Sequence, residues 1–272
     1  MPTDPLEIRL AVLDWAGTVI DFGCVAPAGA FVATFAARGV AVTLPEARGP
    51  MGLHKKDHLR AMLRTESVGA KWRAATGREW AEADVVELYR DVTPRQVGAA
   101  QTYSALVPGA TEVVAALRRA GVKIAGTTGY FHEAAAVVAA AAKSQGYAPD
   151  FNICADDVPA GRPAPWMVFR CMEALGVYPP AAVLKVGDTV IDIEDGRNAG
   201  CWSVGVVDTS NEMGLTEAEF AALPDPEKAV RRRLITDRYL AAGAHGVIGT
   251  LTELPGLVRS LNARLASGAR PG

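Results

Sequence analysis

The sequence predicts an α/β protein: a Rossmann-like, doubly wound parallel-sheet core with an inserted helical cap. Three observations predict it. Apolar runs of strand length recur after residue 108 with one helical pattern between each pair, which implies right-handed βαβ units and a parallel sheet. A first such run, Ile8 to Leu13, is cut off from the others by a long helical stretch. Three runs end in polar residues at what would be one edge of the sheet: Asp14, then Thr127 and Thr128, then Gly187 and Asp188.

Each element follows in order. Ile8–Leu13 stops at Asp14-Trp15-Ala16-Gly17-Thr18, as a buried parallel strand does when it delivers a carboxylate to its C-terminal edge. Ligands sit at that edge in open α/β sheets. Helical patterns then cover Ala28–Arg38, Leu53–Leu63, Val68–Thr76 and Trp80–Val97. After Pro108-Gly109 comes a helix, Ala110–Ala120, stopped by Gly121, and then a strand, Val122–Ala125. A helix at Glu133–Gln145, a strand at Phe151–Cys154 and a helix at Trp166–Leu175 follow. The remaining elements are strand Ala182–Val186, helix Ile191–Ala199, strand Cys201–Val207, strand Gly246–Ile248 and a helix from Leu251. Residues 1–20 and 101–272 are assigned to the core, and 21–100 to the cap.

Composition narrows the function classes. Half of the 272 residues are hydrophobic, enough for a sizeable core, and the formal net charge of −2 supplies no basic field for nucleic acid. No uncharged apolar run reaches membrane-spanning length, so no membrane association is expected. The N-terminus carries acids before its apolar stretch, unlike a signal peptide. Four scattered cysteines, Cys24, Cys154, Cys171 and Cys201, form no CxxC pair, which argues against a zinc site or disulfide framework and fits a reducing cytoplasm. His54, His132 and His245 read as surface or loop residues.

If the three polar strand ends are neighbours, carboxylates and hydroxyls converge. Asp14 and Asp188, with Asp192 four residues on, suit Mg²⁺, which takes oxygen ligands and keeps several waters. Thr128 beside the Gly129 backbone suits phosphate. A carboxylate can also attack phosphorus to form an aspartyl-phosphate. On a helix, Met51, Lys55, His58, Leu59 and Met62 share one face. An apolar surround there would lower the lysine pKa and free its amine. Periodicity does not choose between Lys55 and Lys56, and a solvated basic face is the alternative.

The order Asp14, Thr128, Arg162 and Gly187-Asp188-Thr189-Val190-Ile191-Asp192 resembles the haloacid dehalogenase superfamily, whose cap is inserted after the first strand. Within it the chain is similar to the phosphonoacetaldehyde hydrolases (phosphonatases). The match is carried by Asp14–Thr18, Gly23–Pro27, Pro50–His58, Thr127–Tyr130, Asp156–Pro163 and Lys185–Thr189. One departure from the wider superfamily bears on function. Its phosphatases use DxD, and the second acid's place is taken by Ala16, whose methyl group can neither give nor take a proton. Carbon–phosphorus cleavage has a carbanion as leaving group, which protonation of an oxygen cannot assist.

The resemblance implies that Lys55 condenses with phosphonoacetaldehyde and that Asp14 attacks phosphorus. It implies Mg²⁺ on Asp14, Asp188 and the Ala16 carbonyl, with Asp192 orienting the site, Thr128 and Gly129 on phosphoryl oxygens and Arg162 on the phosphonate. His58 would move protons, and Met51 and Tyr130 would shape the pocket. A cytoplasmic homodimer acting in 2-aminoethylphosphonate breakdown is also implied, with closure of cap on core during turnover. The rivals are a Mg²⁺-dependent phosphomonoesterase or sugar phosphomutase of the same fold, which Ala16 opposes, and a non-catalytic binding protein.

Overall fold

The computed structural model describes residues 6–272. Residues 1–5, part of the segment read above as unlike a signal peptide, lie outside it. Six parallel strands form one sheet in the order β3-β2-β1-β4-β5-β6. They are β1 (Leu10–Asp14), β2 (Lys123–Thr128), β3 (Phe151–Cys154), β4 (Val183–Gly187), β5 (Trp202–Val206) and β6 (Gly246–Ile248). Every strand expected from sequence is present. β1, β4 and β5 are buried along their whole length, which is why they read as continuous apolar runs rather than alternating ones.

The order reverses at β1, so the crevice for a ligand opens at its C-terminal end. Register brings the polar ends together there. Asp14 lies opposite Thr127 of β2, and Leu13 opposite Val186 of β4, so Gly187 and Asp188 follow on the other side.

After β1, residues 25–102 form five helices: α1 (Val25–Ala36), α2 (Leu44–Arg48), α3 (Lys55–Arg64), α4 (Glu66–Thr76) and α5 (Glu82–Thr102). They enclose an apolar core of their own around Phe31, Phe35, Leu59, Met62, Trp72 and Leu88. The segments entering and leaving this body run side by side: Asp21 N–H donates to Ala105 O at 3.0 Å and Val107 N–H to Val19 O at 2.9 Å. At the entry, Asp21 and Cys24 both take positive φ, and the Asp21 carboxylate accepts from Val25 and Ala26 N–H, capping α1.

Several boundaries differ from expectation. α3 begins at Lys55, with His54 as its N-cap, so Met51 lies in the preceding turn and not on the helix face. α2 was not expected; Pro45 and a Thr43–Glu46 capping box start it. α5 runs on to Thr102 through Pro94 and Gly98 because α1 and α7 pack along it. The other helices are α6 (Ala110–Arg119), α7 (His132–Ser144), α8 (Trp166–Leu175), α9 (Val190–Asn198), α10 (Glu217–Ala222), α11 (Asp225–Ala241) and α12 (Leu254–Ala266). Sequence reading left α10 and α11 unassigned. α11 buries only Ile235 and Tyr239, too thin an apolar stripe to announce itself. Among the described residues no helix is long and apolar enough to cross a membrane, and all four cysteines are free and buried.

Candidate active site

The core side of the crevice is a network of buried charges. Arg162 donates through Nη2 to Asp14 Oδ1 at 2.5 Å and to Thr127 O at 3.0 Å, and through Nη1 to Asp192 Oδ1 at 2.6 Å. Lys185, fully buried on β4, donates to the same Asp192 oxygen at 2.6 Å. Thr189 Oγ1 donates to Asp192 Oδ2 at 2.7 Å. Both Asp192 oxygens are thus engaged. Burial works against its charge, but Arg162 and Lys185 overcome that and hold the carboxyl below its ordinary range.

Asp14 and Asp188 are less well compensated. Asp188 Oδ2 accepts from Asn211 N–H at 2.7 Å. Burial raises both carboxyls; Arg162 opposes it at Asp14, while the Asp14 charge adds to it at Asp188. One oxygen of each, Asp14 Oδ2 and Asp188 Oδ1, has no protein donor among the described residues. Oxygens of Asp14, Asp188 and Asp192 lie within 4.8 Å of one another. Two buried, underbonded carboxylates with raised pKa values fit a hard divalent cation, whose charge would favour their ionised forms. Gly17 makes this approach possible: it has φ +78°, and a Cβ there would fall 2.0 Å from Asp188 Oδ2.

The helical side presents amines. Lys55 is only 4% exposed, at the start of α3. Its Nζ lies 5.1 Å from the Tyr130 ring centroid and 5.8 Å from that of Phe31, with no ion-pair partner among the described residues. Burial lowers its pKa to about 8. The neighbouring Lys56 is exposed, over the Tyr89 ring at 4.8 Å. Structure therefore separates two lysines that periodicity could not.

His58 is fully buried and stacked on Phe31, ring centroids 3.8 Å apart. Its Nε2 lies 2.8 Å from Ala47 O, and since a carbonyl only accepts, Nε2 carries the proton. Nδ1 is then a bare base with no partner among the described residues. Burial first, and Lys55 second, push the imidazole well below its ordinary pKa.

The two sides meet across one small cleft. Asp14, Ala16, Lys55, Thr128, Arg162 and Asp188 line it, and Met51, Gly129 and Tyr130 face it as well. Asp192 and His58 do not; they stand behind Arg162 and Lys55. Free volume is about 20 Å³, room for a single water. A Cβ on Gly129 would come 3.0 Å from Leu53 O, so its lack of a side chain lets the helical body sit this close.

Sequence reasoning missed a second pair of residues on this seam. Arg48, at the end of α2, donates to Asn211 Oδ1 at 3.1 Å, and Asn211 Nδ2 donates back to Arg48 O at 3.3 Å. Arg48 also donates to Gly23 O at 2.7 Å in the entry segment. Asn211 is the residue whose N–H holds Asp188. No local pattern marks the pair, because its members are 163 residues apart. His245 was expected at the surface or in a loop; it follows α11 half-buried, its ring 5.2 Å from that of Trp202, and accepts from Ser203 N–H.

The chain is similar to known proteins. Residues 8–200 match the family of haloacid dehalogenase-like hydrolases. A phosphonoacetaldehyde hydrolase-like protein of Syntrophobacter fumaroxidans is 46% identical over 97% of this chain and 95% of its own. A phosphonoacetaldehyde hydrolase of Bacillus cereus is 42% identical over 94% of this chain and 97% of its own. The crystal structure of a phosphonoacetaldehyde hydrolase-like protein from Oleispira antarctica superposes with a TM-score of 0.96 at 38% identity, covering 100% of this chain and 99% of that one. The chain belongs to the haloacid dehalogenase-like hydrolases and, within them, to the phosphonoacetaldehyde hydrolase family.

Proposed function

We propose that this enzyme cleaves the carbon–phosphorus bond of phosphonoacetaldehyde, giving acetaldehyde and phosphate, through a Schiff base on Lys55 and an aspartyl-phosphate on Asp14. One observation carries the reading: a buried lysine with its pKa lowered to about 8 and no carboxylate partner shares a 20 Å³ cleft with the strand-end aspartate.

The Lys55 amine adds to the aldehyde carbon and, with loss of water, forms a protonated imine. Asp14 attacks phosphorus; the carbon–phosphorus bond breaks and its electron pair moves into the iminium, giving an enamine. Protonation of the enamine carbon regenerates an iminium, which water hydrolyses to acetaldehyde and free Lys55. A second water releases phosphate from Asp14. Nothing in this sequence needs an acid at position 16, since the leaving atom is carbon. His58 Nδ1 is the base available behind Lys55 for the proton transfers of imine formation.

Arg162 and the Thr128–Gly129 segment supply donors for the phosphonate oxygens. Since Arg162 already binds Asp14, it holds nucleophile and substrate in one frame. Mg²⁺ would be held by Asp14, Asp188 and the Ala16 carbonyl, where it supplies charge neutralisation between an anionic nucleophile and an anionic phosphonate. Asp192 keeps Arg162 and Lys185 in place. The cleft as described is too small for substrate, so the helical body acts as a cap that opens for entry and closes for chemistry. The same reading includes a cytoplasmic homodimer whose substrate comes from transamination of 2-aminoethylphosphonate.

Borohydride trapping with phosphonoacetaldehyde and Mg²⁺, followed by peptide mass mapping, tests the proposal. A reduced two-carbon adduct on Lys55, absent from Lys55→Arg, is expected. Adduct on Lys56 would overturn the residue assignment. No adduct on either lysine, in folded enzyme with intact substrate, would overturn the Schiff-base route. Faster turnover of a phosphate monoester than of phosphonoacetaldehyde would restore the ester-phosphatase or phosphomutase reading.

A further inference from the structure

A second group of metal-ligating side chains sits at the C-terminal end of β3. Nitrogen of His132, sulfur of Cys154 and a carboxylate oxygen of Asp157 lie within 4.8 Å of one another. They come from three elements: the first residue of α7, the last of β3 and the turn after it. Cysteine spacing gives no sign of the group, because its members meet only when β2 and β3 pair.

We propose that His132, Cys154 and Asp157 form a binding site for a divalent ion of the zinc class, separate from the acidic Asp14–Asp188 centre. The donor set is the argument. One imidazole, one thiol and one carboxylate suit a borderline-soft ion and suit Mg²⁺ poorly. Three protein ligands with a fourth position left to water is a common zinc arrangement.

The surroundings hold the ligands in place. His132 Nε2 is 2.7 Å from Asp157 Oδ1, while its Nδ1 faces Asp156 Oδ2 at 3.8 Å. The Asp156 carboxylate accepts from the His132 backbone N–H at 3.2 Å, which fixes the start of α7 beside the site. The other Asp157 oxygen accepts from Cys154 N–H at 2.9 Å, fixing that carboxylate. Asp156 reaches His54, the N-cap of α3, at 3.1 Å, so the site is tied to the helical body one residue from Lys55. His132 is 61% exposed and gives the ion an entry path. Binding displaces the Cys154 proton to solvent, leaving thiolate on the metal.

Co²⁺ is the probe. The full chain, reduced, stripped of metals and held in excess Mg²⁺, is titrated with Co²⁺ and followed by absorption. A near-ultraviolet sulfur-to-cobalt charge-transfer band that saturates at one equivalent and is reversed by Zn²⁺ is expected. Cobalt on the acidic centre has only oxygen ligands and gives no such band. Cys154→Ser should abolish the band, Cys24→Ser should leave it, and His132→Ala should weaken Co²⁺ binding at least about tenfold. His132 is exposed, so its variant tests the site without disturbing the core. Absence of the band at saturating Co²⁺ in the parent protein would overturn the proposal. So would a band that survives Cys154→Ser or disappears in Cys24→Ser.

Discussion

The two sides of the cleft treat buried charge in opposite ways. On the core side, Asp14, Arg162, Asp192 and Lys185 are paired with one another, which keeps Asp192 charged and offsets part of the burial that raises Asp14. On the helical side, Lys55 is buried against Phe31 and Tyr130 and His58 against Phe31, with no carboxylate at ion-pair distance among the described residues, so burial pushes both toward their neutral forms. The difference teaches how one cleft can offer an anionic nucleophile and a neutral amine at the same pH. Asp14 and Asp188 still act on Lys55 across the cleft, but burial outweighs them.

The largest effects come from removing either reactive group. Asp14→Asn keeps the shape of the core side and removes the nucleophile, so turnover should fall by at least about 10⁴-fold. Lys55→Arg keeps a cation but cannot form an imine, and a loss of similar size is expected. The two variants should differ in trapping: Asp14→Asn should still give the borohydride adduct, and Lys55→Arg should not. If Asp14→Asn loses the adduct as well, the two sides are not independent and the contrast breaks.

A smaller effect sharpens it. The lysine pKa lies below its ordinary value, so the reactive neutral amine forms as pH rises through about 8. Below that, kcat/KM should fall about tenfold per pH unit. The rate of adduct formation in Asp14→Asn, where no phosphoryl transfer follows, should show the same limb. A limb near 10.5, the value of an unburied lysine, would mean that the helical side does not tune Lys55.

Next in size is the seam. Asn211→Ala removes both side-chain bonds with Arg48 but leaves the backbone N–H that Asp188 accepts. Loss of these bonds should cost about 1–2 kcal/mol of closure, or roughly tenfold in kcat/KM. Arg48→Ala keeps the Asn211 Nδ2 bond to the backbone carbonyl of residue 48 but loses the bond to Asn211 Oδ1 and frees the Gly23 and Cys24 carbonyls, and should cost more. A kinetic comparison of the two variants at saturating Mg²⁺ checks the order. Equal losses would place the whole effect on the bond the two variants share, Arg48 to Asn211 Oδ1.

How much of this could be read from sequence depended on how far apart the partners lie. Strand-end residues were legible because a buried parallel strand is an unbroken apolar run, and its last polar residue marks the ligand edge; Asp14, Thr128 and Asp188 all follow from that rule. Lys55 was half legible. A helix face was visible, but only burial separates it from Lys56, and burial depends on how α3 packs on α1 and α5. Met51 was expected on that face and stands before the helix, since His54 caps α3 three residues later than the periodicity allows. Arg48 and Asn211 were illegible. Their contacts join segments that meet only after the helical body folds back on the sheet.

The smallest expected effect lies on the outside of the helical body, where its treatment of charge reverses. Glu46 accepts from Thr43, Ser67 and Lys71 at the start of α2, and its pKa falls to about 2, led by the Lys71 bond. A carboxyl depressed in the folded state stabilises the protein above its unfolded pKa, near 4.5, and loses that contribution as pH falls toward about 2. The pair is open to solvent, so Glu46→Ala should cost no more than about 1 kcal/mol, a shift of about 2–4 °C in Tm near neutral pH. The gap between parent and variant should shrink as the medium is acidified. A gap that stays constant would assign the effect to the Thr43 capping box and not to the ion pair. Shrinkage would show the same five helices holding charged pairs at their surface and an uncharged lysine within, so that the tuning of Lys55 comes from its depth and not from the composition of the body around it.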